Sequence, residues 1–190
     1  MGNDGILVNL IAYPVKVLGN GERVGLWTQG CSIGCSGCMS EHTWDFDETQ
    51  KMSISQIIER VKSFETSKIT ISGGEPFQQV NLLELLKALK ESGFTDVMLY
   101  SGYTEAYIRE YFWECLEYID ALISEPFVDG DESDFIYKGS DNQKMIILNK
   151  ELRTQYEEYG QMNKEKRLQK FDDVIVGIPY QRDIKALYEM

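Results

Sequence analysis

Val24-Gly-Leu-Trp-Thr-Gln-Gly-Cys31-Ser-Ile-Gly-Cys35-Ser-Gly-Cys38 runs a short apolar stretch straight into three cysteines. Val24 to Thr28 is rich in apolar, β-branched and aromatic side chains, so it reads as a strand with the cysteines in the loop at its end. Working outward, the same alternation of short apolar runs and amphipathic stretches recurs. Ser53-Ile-Ser-Gln56 is a capping box, followed by Ile54, Ile57, Ile58, Val61 and Phe64 at helical spacing. Lys68 to Ser72 reads as a strand ending at Gly73-Gly74, and Val80 to Ser92 as a Leu-rich helix closed by Gly93. Asp96 to Tyr100, Ile119 to Ile123 and Lys144 to Leu148 read as further strands. Thr104 to Glu117 reads as a helix with Ile108, Tyr111, Phe112, Cys115 and Leu116 on one stripe.

Parallel neighbours need crossover helices, so this alternation predicts an α/β fold with a parallel sheet. The segment from Ser124 to Gln143 is a long polar loop, and loops of that length in compact domains are often functional. Asn149 to Gln169 mixes Lys with Glu and reads as a solvated helix or linker; Asp173 to Pro179 reads as a strand and Asp183 to Met190 as a short helix. The expected organisation is one domain, residues 1–148, with a C-terminal extension, residues 149–190.

Composition narrows the function classes. With 31 acidic against 19 basic residues the net charge is −12, which argues against nucleic-acid binding because phosphates demand a basic footprint. The apolar run from Ile6 to Ala12 lacks a basic flank and is too short to span a bilayer, so the expectation is a soluble cytoplasmic protein without membrane attachment.

Four cysteines are present, and Cys115 stands apart on the apolar stripe of its helix, where a free thiol behaves as a small hydrophobe. The clustered three make a poor disulfide framework and a good metal or cluster site. A ferredoxin-type cluster takes four thiolates, so Cys31, Cys35 and Cys38 leave one iron open to an outside ligand. Tetrahedral zinc accepts the alternative set Cys31, Cys35, Cys38 and His42. The cysteine loop alone leaves both open. A second motif, Ile71-Ser-Gly-Gly-Glu-Pro76, lies between a strand and a helix, where side-chain-free backbone can approach a ligand closely.

Together these motifs resemble the radical S-adenosylmethionine superfamily, and within it the branch that activates the anaerobic ribonucleotide reductase. Thr28-Gln-Gly-Cys31, Cys35-Ser-Gly-Cys38, Thr43-Trp44, Ser72-Gly-Gly-Glu-Pro76, Tyr100-Ser-Gly-Tyr103, Phe127-Val128 and Gly139-Ser-Asp-Asn-Gln143 carry the resemblance, in family order. The chain departs from the pattern at Gly37, where the superfamily often has an aromatic residue, and at Ser36, where the branch usually has proline.

The resemblance implies an incomplete, open parallel β/α barrel and two cofactors, a 4Fe–4S cluster and S-adenosylmethionine. It implies that Cys31, Cys35 and Cys38 each ligate one iron, while Gly73, Gly74 and Glu75 hold the methionyl amino end. Gly37 and Met39 would line the cofactor, and Ser101 would contact the ribose or the methionyl carboxylate. Asn142 and Gln143 match a family motif without a readable role. The implied reaction is reductive cleavage to a 5′-deoxyadenosyl radical that abstracts a hydrogen, with a glycine of a large glycyl-radical enzyme as the substrate. An external one-electron donor such as flavodoxin or ferredoxin completes the set of partners. The competing readings are a radical enzyme acting on a small molecule or peptide, and a zinc-stabilised binding module without catalysis. A reactive radical needs a closed site, so the Ser124–Gln143 loop or the partner surface should cover it. Tyr107 and Tyr111 read as helix packing, and Trp27 and Trp44 as shields around the cysteines.

Overall fold

The computed structural model describes residues 5–164, 168–180 and 183. The sequence expectation for a helix over Asp183–Met190 therefore lies almost wholly outside the described residues. Among them, seven strands form one sheet. Its centre is β2 (Arg23–Thr28), β4 (Lys68–Gly73), β5 (Asp96–Tyr100) and β6 (Ala121–Ser124), hydrogen-bonded side by side and all parallel. These are the strands the apolar runs predict, and their side chains are buried on both faces, as parallel strands require.

The flanks depart from the parallel expectation. β1 (Gly5–Val15) pairs antiparallel with β2 and carries the short β3 (Lys51–Ser53) on its other edge; β7 (Lys144–Ile147) pairs antiparallel with β6. The chain leaves β6 at its carboxyl end and crosses a segment without a crossover helix, so β7 returns in the opposite direction. The Ile6–Ala12 run, unassigned from sequence, is the body of β1.

One face of the sheet is covered by α1 (Ile54–Lys62), α2 (Leu82–Glu91), α3 (Glu105–Tyr111) and α4 (Trp113–Leu116). The capping box forms: Gln56 N–H donates to Ser53 Oγ at 3.2 Å and Ser53 N–H to Gln56 Oε1 at 2.9 Å. Ile57 and Val61 of α1 meet Leu82, Leu85, Leu86 and Leu89 of α2 over Ile69, Ile71, Val97 and Leu99. The predicted Thr104–Glu117 helix is broken at Phe112, whose φ of −131° is not helical. The break turns Tyr111 outward, 59% exposed, so it is not part of the packing stripe, while Cys115 stays in the core.

The opposite face is covered by the C-terminal stretch; of its reading as a solvated helix or linker, the helix is present but packs on the sheet rather than standing in solvent. α5 (Arg153–Gly160) buries Tyr156 and Tyr159 against Met98, Ala121 and Ile123. A hairpin of β8 (Leu168–Phe171) and β9 (Val174–Gly177) packs Val176 against Val15 and Trp27. Its charged residues mask this, because only the buried tyrosines report the contact.

At the amino end of the central strands Arg23 is fully buried. It pairs with Asp96 (Nη2–Oδ1 3.0 Å) and donates to the Ile69 carbonyl at 2.9 Å, while the Tyr156 hydroxyl donates to Asp96. Removing one partner of a buried pair leaves an uncompensated charge. Asp96→Ala is expected to cost about 3–5 kcal/mol in urea unfolding. Tyr156→Phe should cost less, roughly 1–3 kcal/mol, since it removes the hydrogen bonds to Asp96 and from Arg23 but no charge. Equal losses in the two variants would contradict this ordering.

Candidate active site

The loops after β2, β4 and β5 all lie at the carboxyl ends of parallel strands, where open α/β sheets collect their ligands. The register Thr28↔Gly73 ends the β2–β4 pairing, but the backbones stay joined beyond it. Gly74 N–H donates to Thr28 O at 2.8 Å and Glu75 N–H to Gly30 O at 2.9 Å. Gly73 has φ +98°, and a Cβ on Gly74 would lie 2.3 Å from Gly30 O, so neither position accepts a side chain. The cysteine loop is closed from its far side by Gly30 N–H to Thr43 O (2.7 Å) and Cys31 N–H to Trp44 O (2.9 Å). Gln78 secures it further, accepting from Ser32 N–H at 2.9 Å.

Cys31, Cys35 and Cys38 line one pocket together with Gly73, Gly74 and Glu75, and Gly37, Met39 and Ser101 border the same space. The three cysteines and the six residues expected at the cofactor thus meet, while His42 and Asn142 do not line this pocket. None of the three cysteines is in a disulfide. Burial pushes the Cys35 thiol up, opposed by a hydrogen bond from the Phe127 backbone. Burial likewise raises Cys38, opposed by the Ser40 backbone N–H (3.4 Å) and the Trp44 side chain. Trp44 lines the pocket beside the cysteines, whereas Trp27 is core. Cys115, buried among apolar groups, has its thiol pushed up to about 11 and takes no part.

The donor set fits a polynuclear group. Among the described residues no three His, Cys, Asp or Glu side chains converge as a single metal ion requires, and His42 is exposed on a short 3-10 turn. Three thiols spread around one pocket, with the Ser40 N–H on Cys38 Sγ, suit a cluster that takes one thiolate per iron better than a single tetrahedral zinc ion.

Glu75 is 1% exposed. Its Oε1 accepts from Phe77 N–H (3.0 Å) and Ser101 Oγ–H (2.9 Å), and its Oε2 from Gly102 N–H (2.8 Å). Ser101 therefore orients Glu75, and one carboxylate ties the end of β4 to the end of β5. With three of about four acceptor positions used, Oε2 retains room for one further donor. Sequence reasoning gave no site role to Tyr100, Phe127, Gly139 and Gln143, which also line the pocket, nor to Gly177–Pro179 of the C-terminal stretch. Their signal was present only as short matches in the family pattern, without a local chemical reason.

Burial raises the Glu75 carboxyl to about 7, against hydrogen bonds that favour its charge. Its folded value thus lies above its unfolded one, so its contribution to stability is full below about pH 4.5 and is lost as pH rises through about 7. That slope, on the order of 3 kcal/mol, should be present in urea unfolding of the ligand-free protein and absent from Glu75→Gln. A parent profile parallel to that of the variant would show that the Glu75 carboxyl titrates alike in the folded and unfolded chain. Gly74→Ala must displace the cysteine loop, and reconstituted protein should retain severalfold less iron than the parent.

Comparison with known proteins agrees with this geometry. A family described as a 4Fe-4S single cluster domain matches residues 17–146. The anaerobic ribonucleoside-triphosphate reductase-activating protein of Vibrio cholerae is 32% identical over 143 residues, covering 69% of this chain and 92% of that protein. The protein of the same name from Enterobacteria phage T4 is 30% identical over 141 residues, covering 70% and 89%. A pyruvate formate-lyase-activating enzyme of Staphylococcus epidermidis is 36% identical over 83 residues, covering 40% and 33%. The crystal structure of QueE from Escherichia coli aligns over 53% of this chain and 54% of that one, at 22% identity and a TM-score of 0.46. With the family match running from the turn between β1 and β2 into β7, the chain belongs to the 4Fe-4S single cluster domain family.

Proposed function

We propose that this chain is a radical S-adenosylmethionine enzyme of the glycyl-radical activating type, with the anaerobic ribonucleotide reductase as the most fitting partner. The observation that carries the proposal is the shared pocket of Cys31, Cys35, Cys38 and the Gly73–Gly74–Glu75 turn. When bound, the cluster and S-adenosylmethionine supply the chemistry: one electron splits the sulfonium bond to the 5′ carbon, giving methionine and a 5′-deoxyadenosyl radical that takes a hydrogen from a glycine Cα.

The chain's own residues bind, orient and exclude water. Cys31, Cys35 and Cys38 would each hold one iron, leaving the fourth for the amino and carboxylate groups of the cofactor. The free position on Glu75 Oε2 and the backbone of Gly73–Gly74 would accept the N–H donors of that amino group, and Ser101 keeps the carboxylate aimed. Gly37 and Met39 flank the cofactor, while Tyr100, Phe127 and Ile178 present apolar surface that keeps bulk water out. The parallel β2–β4–β5–β6 unit, ended by antiparallel flanks, supports an open half-barrel that admits a loop of a large protein. Gly177–Pro179 narrows the pocket, the feature that favours a second reading in which the substrate is a small molecule or peptide. Either reading needs an external low-potential one-electron carrier. Among the described residues no helix is long and apolar enough to cross a membrane, which supports a cytoplasmic enzyme.

Anaerobically reconstituted protein, reduced and given S-adenosylmethionine, should release 5′-deoxyadenosine, with loss of at least a hundredfold in Cys35→Ala. Adding the large reductase subunit should produce a glycyl radical signal by electron paramagnetic resonance. Stoichiometric zinc with no acid-labile sulfide would refute the enzyme. 5′-Deoxyadenosine without any glycyl radical on the reductase would favour the small-substrate reading.

A further inference from the structure

Tyr107 and Tyr111 have the spacing of packing residues, yet they are 40% and 59% exposed, and Trp113, just past the break at Phe112, is 57% exposed. The rings are nonetheless ordered. Tyr103 lies against Tyr107 with ring centroids 4.7 Å apart, and Tyr107 against Tyr111 at 4.6 Å, so the three form one row along α3. Phe112 backs the row, 6.1 Å from both Tyr103 and Tyr107. Large aromatic side chains gathered in water mark an interaction surface, and such rings are the usual anchors at the centres of protein interfaces. Rings already fixed by stacking lose little freedom when a partner covers them.

The row starts at the cofactor pocket. The Tyr103 hydroxyl accepts from Gln78 Nε2 at 2.9 Å, and the same amide nitrogen donates to Ser32 Oγ, beside Cys31, at 2.9 Å. Gly102, one residue before Tyr103, donates its N–H to Glu75. α3 has seven residues, so the row extends only about 10 Å from that end. A partner covering ~800 Å² of this surface spans roughly 30 Å, enough for the row and the pocket mouth together.

The charge around the row narrows the partner. From Glu105 to Glu117 the chain carries four glutamates and one basic residue, Arg109, which is paired with Glu105 at 2.8 Å. Glu110, Glu114 and Glu117 are exposed. A second copy of this chain, at net charge −12, would be repelled. A one-electron carrier needs only a small, short-lived contact. A protein that must keep a glycine in the pocket through a whole reaction needs the longer-lived contact that aromatic anchors give. We propose that Tyr107, Tyr111 and Trp113 dock the glycyl-radical substrate enzyme, through a face of that enzyme that offers an apolar groove edged by lysine or arginine. This rests on the partner reading above.

The test is the affinity of the iron-loaded protein for the large reductase subunit, measured anaerobically by biolayer interferometry. Tyr111→Ser and Trp113→Ser should each weaken binding at least tenfold, and Tyr111→Phe, which restores the ring, should recover most of the loss. Glu110→Lys combined with Glu114→Lys should slow association severalfold at low salt and flatten its salt dependence. Iron content and thermal melting check that each variant is folded and loaded; if a serine variant does not load, the glutamate pair decides. Loaded variants that all bind the reductase as the parent does would overturn the inference while leaving the function standing. So would unchanged reductase binding accompanied by slower reduction by flavodoxin, or by loss of a dimer in sedimentation, since either would assign the row to another occupant. A parent that releases 5′-deoxyadenosine but has no affinity for the reductase would sink the partner reading, and this inference with it.

Discussion

The close approach of two backbones, Gly74 N–H to Thr28 O and Glu75 N–H to Gly30 O, is the contact on which the rest of the site depends. Parallel strands normally part at their carboxyl ends as each chain turns into its own crossover. Here β2 and β4 remain bonded past the sheet because Gly73 and Gly74 carry no Cβ to hold them apart. The cysteine loop is thereby fixed against the Gly-Gly-Glu turn before any ligand arrives. Glu75 extends the tie sideways to Ser101 and Gly102, so three adjacent strand ends are referenced to one carboxylate. Preorganisation of this kind lowers the ordering cost that cofactor binding must overcome.

Polar burial is concentrated at the two ends of the central strands, and the two ends solve it differently. At the amino end, Arg23 meets Asp96 and Tyr156, so charge is neutralised within the protein and α5 is fastened to the sheet. At the carboxyl end, Glu75 is matched by neutral donors alone, and burial keeps its carboxyl high, at about 7. The first end gains stability from its pairing. The second is left with an acceptor position and a charge that a cationic ligand completes.

How much of this was legible in the sequence follows from how local each signal is. The four central strands and α1 were readable because continuous apolar runs and a capping box are properties of a few adjacent residues. The cysteines and the Gly-Gly-Glu turn were readable for the same reason. The direction of β7 was not, since it depends on what the β6–β7 segment fails to contain, a crossover helix. The break at Phe112 was hidden because Ile108 and Cys115 keep helical spacing across it. α5 was misread because its charged residues outnumber Tyr156 and Tyr159, and only the fold shows where those two rings go. Asn142 and Gln143 stood out as a pattern, but their partners, Pro126 and Glu125, lie across the loop, and no rule of spacing names them.

The charge on the pocket wall poses a final physical problem. The cluster becomes more negative on reduction, in a chain that already carries −12, while S-adenosylmethionine brings an ammonium and a sulfonium beside it. A lysine or arginine at the cluster would ease reduction, yet its field falls slowly with distance and would repel the cofactor cations. Among the described residues none lines the pocket. A backbone N–H dipole stands there instead, at Cys38 from Ser40. The field of a dipole decays faster than that of a charge, so this donor acts on the sulfur it touches and little beyond. Glu75, matched only by neutral donors, keeps an acceptor position on Oε2 with no cation of the protein competing for it.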